Sequence, residues 1–144
     1  MKGGCQCGNI RFEIKGELGK ASICHCRMCQ KAFGNFFAPL VSVREASVKW
    51  SNEPSRFQSS NLVKRGFCEK CGTPLTYEAP DGLAIAIGAF DKPDFIEPSV
   101  QFGVERRIAY LDHINQWSCL RTEDDIEDAP FLNEIISFQF KDEE

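Results

Sequence analysis

The sequence predicts a mainly β fold of short antiparallel strands, with one or two short helices at most, and three observations carry that prediction. Apolar and polar residues alternate with a period of two over several short runs, the mark of half-buried strands. Turn-forming clusters separate those runs, at Asn52-Glu53-Pro54, Pro80-Asp81-Gly82 and Asp91-Lys92-Pro93-Asp94. No segment carries a long apolar stripe at helical spacing.

Taken in order, "IRFEI" sets Ile10, Phe12 and Ile14 on one face and Arg11 and Glu13 on the other. Further strands are expected at "FFAPLVSV", "SVKWS", "SRFQSS", "NLVKRGF", "PLTYEA", "LAIAIGAF" and "RIAYL". Between the first two runs, "RMCQKAF" after Cys26 lacks helix breakers and Gly34 is placed to stop a short helix. The closing "FLNEIISFQF" reads as a strand, by the alternation of Ile136, Phe138 and Phe140, or as a short helix; either way it is expected to cover the core.

A chain of 144 residues is expected to fold as a single domain over 1–144, since this length buries roughly 70% of the unfolded surface around one core. The net charge of −4 and a pI near 5.3 argue against nucleic acid as a partner. Lys64-Arg65 and Arg106-Arg107 could contact an anionic ligand, but a pair of charges reads first as a solvated face. The N-terminal "MKGGCQCGNI" has no secretory h-region, and no run approaches the ~18 apolar residues of a membrane span, so a cytoplasmic location away from membranes is expected.

Eight cysteines are the outlying feature of the composition. They fall into "CQC" (Cys5, Cys7), "CHCRMC" (Cys24, Cys26, Cys29), "CEKC" (Cys68, Cys71) and Cys119 in "QWSCL". "FCEKCGTPL" has the form of a zinc-ribbon knuckle, in which the chain turns back toward the first thiolate and Gly72 supplies a permissive backbone. A knuckle offers two ligands, and a closed tetrahedral site takes four. "CQC", flanked by Gly3-Gly4 and Gly8, supplies the other two and completes a structural site. Joining the knuckle to "CHCRMC" instead would make a group of five thiols and leave two orphans. Disulfides belong mainly to short secreted domains and fit this chain less well. Cys119, between Trp117 and Leu120, reads as a small buried hydrophobe.

Cys24, Cys26 and Cys29 are then three thiols without a fourth. Zinc held by three protein ligands keeps a position for water or substrate, the pattern of a catalytic site. His25 is the nearest candidate to close it, but alternation in an extended Cys-His-Cys run turns it away from the ion, leaving a proton-shuttling, structural or solvent-facing role. Three thiolates give the zinc core a formal charge of −1 and make it a poor generator of hydroxide. A soft, sulfur-rich site suits a fourth sulfur, so the open position is read as the place of a substrate thiol.

The motifs "GGCQCGNIRFE", "CHCRMCQKAFG", "KRGFCEKCGTPL" and, more loosely, "IAIGAFDKPDFIEP" followed by "RIAYL" resemble the glutathione-dependent formaldehyde-activating enzymes (GFA) and their relatives, which include the eukaryotic centromere protein V (CENP-V). The resemblance runs from about Gly3 to Leu111. It implies a β-tent zinc fold with two zinc ions per chain. Cys5, Cys7, Cys68 and Cys71 match the structural ligands, and Cys24, Cys26 and Cys29 the catalytic ones. The activity it implies is a carbon–sulfur lyase reaction, S-(hydroxymethyl)glutathione synthase-like, joining a small thiol and a small aldehyde. Glutathione carries two carboxylates, for which Arg27, Lys31 and Arg65 are the candidate receivers. The competing reading is a non-catalytic, zinc-stabilised binding module with a protein partner; such a module has no need of a coordination site one ligand short.

Overall fold

The computed structural model describes residues 1–142. Its ten strands are β1 (Lys2–Gly4), β2 (Arg11–Ile14), β3 (Ala21–Cys24), β4 (Ala38–Val43), β5 (Val48–Trp50), β6 (Ser55–Gln58), β7 (Lys64–Phe67), β8 (Pro74–Ala79), β9 (Gly82–Ala86) and β10 (Val100–Phe102). One α-helix, α1 (Arg27–Phe33), lies between β3 and β4 and ends at Gly34 in the left-handed conformation. The remaining helical pieces are short 3₁₀ turns. The mainly β class expected from the sequence is therefore the class found.

The strands form a three-stranded sheet, β1-β2-β5, and a seven-stranded sheet, β10-β3-β4-β9-β8-β7-β6. Each run of alternation explains its own packing. In β2, Phe12 and Ile14 are buried while Glu13 is exposed, and the Phe12 ring meets Trp50 and Phe90 edge-on at centroid distances of 5.3 and 5.1 Å. Val41 of β4, Leu75 of β8 and Ile85 of β9 bring the larger sheet into the same core. Each such side chain contributes about 1.5–3 kcal/mol of transfer free energy, so the core is what holds the cysteine-bearing turns in place.

By packing, the described chain divides into two compact units, residues 1–107 with the stretch from Gln139 onward, and residues 108–138. Both sheets belong to the first unit. Phe140 belongs there too: its N–H donates to Gln6 O at 2.7 Å, and its ring lies 4.5 Å from the Arg11 guanidinium. The second unit holds three 3₁₀ segments, Ala109–Gln116, Thr122–Asp125 and Pro130–Glu134.

Three expectations are corrected here. "RIAYL" is not a strand, because its residues enter the 3₁₀ run from Ala109; an apolar alternation makes a strand only where a sheet edge is available to pair with it. The "FLNEIISFQF" tail is neither strand nor α-helix and does not cover the core as expected: after the 3₁₀ turn it follows an irregular path with Phe131, Ile135, Ile136 and Phe138 exposed. Cys119 is exposed rather than buried, with its Sγ 3.5 Å from Trp117 O, in a stretch without regular structure to fold over it.

Candidate active site and metal centres

The first cysteine cluster is built by two turns of similar design. After β1, Gly8 N–H donates to Cys5 O at 3.0 Å; after β7, Gly72 N–H donates to Cys68 O at 2.8 Å. Both glycines have φ of 77°, a conformation that costs side-chain-bearing residues roughly 1–2 kcal/mol. The two turns are tied together where Gln6 N–H donates to Thr73 Oγ1 at 3.0 Å. As a result the sulfurs of Cys5, Cys7, Cys68 and Cys71 all lie within 4.8 Å of one another.

These sulfurs fit a tetrahedral ion. Zinc–sulfur bonds of about 2.3 Å imply sulfurs about 3.8 Å apart. Cys5 to Cys7 measures 3.6 Å and Cys7 to Cys68 3.9 Å, and the cysteines are free thiols. Burial pushes the Cys5 thiol up to about 12, against the Ile10 N–H that donates to its sulfur at 3.2 Å. Burial also pushes Cys71 up, but hydrogen bonds from the Thr73 hydroxyl and amide and from Cys7 outweigh it and bring this thiol down to about 6. One ready thiolate, Cys71, thus shares the cluster with Cys5, whose proton an ion would have to displace.

The second cluster gathers Cys24, Cys26 and Cys29, again with sulfurs within 4.8 Å of one another. Cys24 ends β3, Cys26 caps helix α1 by accepting from Cys29 N–H at 3.4 Å, and Cys29 is buried in the first turn of that helix. Strand-to-helix geometry alone brings the three sulfurs together. Gly103 makes room for the junction: a Cβ there would stand 2.8 Å from Cys26 N. Burial pushes Cys24 up to about 12 and raises Cys29, whereas for Cys26 burial is outweighed by the Cys29 amide, the neighbouring sulfurs and Arg65, which together lower it.

His25 points elsewhere. It is 1% exposed, its Nε2 pairs with Gln101 Oε1 at 2.8 Å, and its ring meets Phe37 edge-on at 5.6 Å. Its backbone is held too, by Phe102 O and by Gln30 Nε2, each at 2.8 Å. The alternation argument that turned His25 away from the sulfurs is met by this structural setting.

The second cluster opens on a cavity of about 360 Å³, and Cys24, Cys26 and Cys29 form part of its wall. Arg65 of β7 is also in the wall, which corrects the expectation of a solvated face there: it is 7% exposed, donates from Nη2 to Cys29 Sγ at 3.4 Å and from Nε to Ser59 Oγ at 2.9 Å, and lies over the Tyr77 ring at 5.1 Å. Of the three cations proposed as carboxylate receivers, Arg65 alone lines the cavity. Arg27 bonds its helix neighbour Gln30 at 2.9 Å, and it and Lys31 stand outside the wall. Sequence reasoning did not find Tyr77, Asp81 or Gln101. The hairpin β8-β9 and the parallel pairing of β10 with β3 bring them in, and neither pairing has a signature in the local residue pattern.

The sequence model of the family described as glutathione-dependent formaldehyde-activating enzyme matches residues 1–106. The chain belongs to that family. The match ends next to the boundary of the first unit at Arg107, so both cysteine clusters and the cavity lie within it. A crystal structure of a Rhodobacter sphaeroides protein, solved as a structural-genomics target, is similar in fold, with a TM-score of 0.56 and 19% identity over 70% of this chain and 99% of that one. No curated protein sequence matches the chain. No helix among the described residues is long and apolar enough to cross a membrane.

Proposed function

We propose that this chain is a zinc-dependent enzyme of the carbon–sulfur lyase type that joins a small thiol, glutathione being the one that the family's description names, reversibly to an aldehyde such as formaldehyde. The observation that carries the reading is the three-thiol cluster, one ligand short, in the wall of a cavity. In this reading Cys5, Cys7, Cys68 and Cys71 hold a structural zinc, and Cys24, Cys26 and Cys29 hold a catalytic one. A zinc ion at the latter would lower the pKa of an incoming thiol and keep its sulfur nucleophilic. The protein's own residues set the conditions for that chemistry. Arg65 places a fixed positive charge against Cys29, offsetting the negative charge of the thiolates. Leu40 and Leu83, both buried, make part of the cavity wall apolar. The balance of the reaction is simple: the thiol gives its proton to solvent, its sulfur lone pair forms the bond to the carbonyl carbon, and the carbonyl oxygen takes up a proton.

The test is proton release. Addition of a small thiol to the zinc-loaded protein should release about one proton per open site near neutral pH, and the release should vanish in Cys29→Ser. Formaldehyde should then be consumed only when the thiol is present. If several thiols move no protons and no aldehyde is consumed, the binding-module reading replaces this one.

A further inference from the structure

Resting on the reading of the three-cysteine site as a thiol-activating centre, we propose that the thiol it takes has a small, uncharged, apolar body, and that a dicarboxylate tripeptide such as glutathione is a poor ligand. The cavity wall carries this. Beyond the cysteines its surface is largely made by Leu40, Val43, Val63, Leu83 and Phe102, with the Tyr77 ring. Its volume of about 360 Å³ sits at the small end of the range for small-molecule sites.

Charge in the wall points the same way. Among the described residues that line the cavity, Arg65 is the one cation and Asp81 the one carboxylate. Arg65 is largely spent inward: Nη2 is on Cys29 Sγ and Nε is on Ser59 Oγ, which leaves Nη1, buried and without a protein partner, as its one uncommitted nitrogen. A ligand with two carboxylates would find at most the single buried Nη1 rather than a two-nitrogen fork, and would meet the exposed Asp81 in the turn between β8 and β9. Zinc with three thiolates would carry −1, and Arg65 beside it +1, so the floor is close to neutral. A neutral floor under apolar walls rewards burial of an alkyl group and penalises burial of an unpaired carboxylate. Glutathione brings two carboxylates, whereas an alkanethiol brings none.

The experiment uses the full chain with cobalt in place of zinc, so that a fourth sulfur at the open site is read from the cobalt absorption bands. Propane-1-thiol, glutathione and glutathione diethyl ester are titrated at one pH, and each affinity is expressed per ionised thiol. Propane-1-thiol is expected to bind at least tenfold more tightly than glutathione, and the diethyl ester at least threefold more tightly than the parent acid. Glutathione within tenfold of propane-1-thiol, or as tight as its own ester, would overturn the inference while leaving thiol activation intact. Bands that no thiol moves would overturn both.

Discussion

The Arg65 guanidinium and the Cys29 sulfur meet across 3.4 Å, joining strand β7 to the first turn of helix α1. They are 36 residues apart in sequence, and both are buried. The contact links the two cysteine clusters through the chain, since Arg65 stands three positions before Cys68 of the knuckle. Burial raises the Cys29 thiol and Arg65 acts against that, by hydrogen bond and by charge.

From this follows a prediction about metal retention. Arg65→Met should weaken metal binding at the three-cysteine site by about tenfold or more, the usual cost of losing an outer hydrogen bond to a ligand. Arg65→Lys should recover part of the loss, because it keeps the charge and loses the fork that reaches Ser59. Chelator competition on each variant measures this. Metal at the four-cysteine cluster should be unchanged, and equal loss from both clusters would show that Arg65 acts through folding alone.

The two clusters should differ in what their loss does. A closed four-thiolate site contributes folding free energy directly, on the order of 10 kcal/mol in apparent zinc binding. Cys71→Ser is therefore expected to unfold or precipitate the protein. Cys29→Ser is expected to stay soluble, with one metal ion fewer by elemental analysis and no thiol-dependent proton release. The reverse pattern would mean that the structural and catalytic roles have been exchanged.

The grouping of Cys5, Cys7, Cys68 and Cys71 apart from Cys24, Cys26 and Cys29 was legible in the sequence, because knuckle spacing and glycine placement are local properties. The strands from Arg11–Ile14 to Gly82–Ala86 were largely legible for the same reason, and so was the helix stopped by Gly34. Lys2–Gly4, Ala21–Cys24 and Val100–Phe102 were not expected. Each is only three or four residues long, too short to show a period, and each is a strand because of its partner: Phe102 stands opposite Cys24 across 78 positions of chain. The cavity was illegible in the same sense, since the β8-β9 hairpin brings Tyr77 and Asp81 into the wall that the cysteines share. The lone alternation in "RIAYL" misled because it has the local pattern and lacks the partner.

Metal binding should depend on pH in a direction set by the thiols. Cys24 is held up at about 12 and Cys29 is raised, so both carry protons at neutral pH when no ion is bound. An ion must displace those two protons at least, and affinity at this site should rise with pH by about 100-fold per unit near pH 7. As pH falls, protons compete and the ion is lost. Titration of metal release between pH 5 and 8, with the proton count from unbuffered solution, checks both sign and slope. A pH-independent affinity would show that the thiols are ionised before the ion arrives.

His25 provides the sharpest separation between a structural and a chemical role. It stands between two proposed ligands in sequence, so a ligand or proton-shuttle role has to be tested directly. The geometry gives it other work: Nε2 pairs with Gln101 of β10, its backbone N–H donates to Phe102 O, and Gln30 of α1 donates to its carbonyl, so one residue pins β10 and the helix to the end of β3. Its Nδ1 is buried without a partner, the residue lies outside the group that the three sulfurs form, and the ring packs on Phe37. His25→Ala should leave a cavity and an unpaired Gln101 amide, and cost about 2–4 kcal/mol in denaturant unfolding. Both metal ions should stay, and thiol-dependent proton release should keep the wild-type pH profile at temperatures where the variant is folded. If His25→Ala instead loses one metal ion, or shifts that profile while unfolding at the wild-type midpoint, then His25 takes part in the chemistry and the structural assignment is wrong.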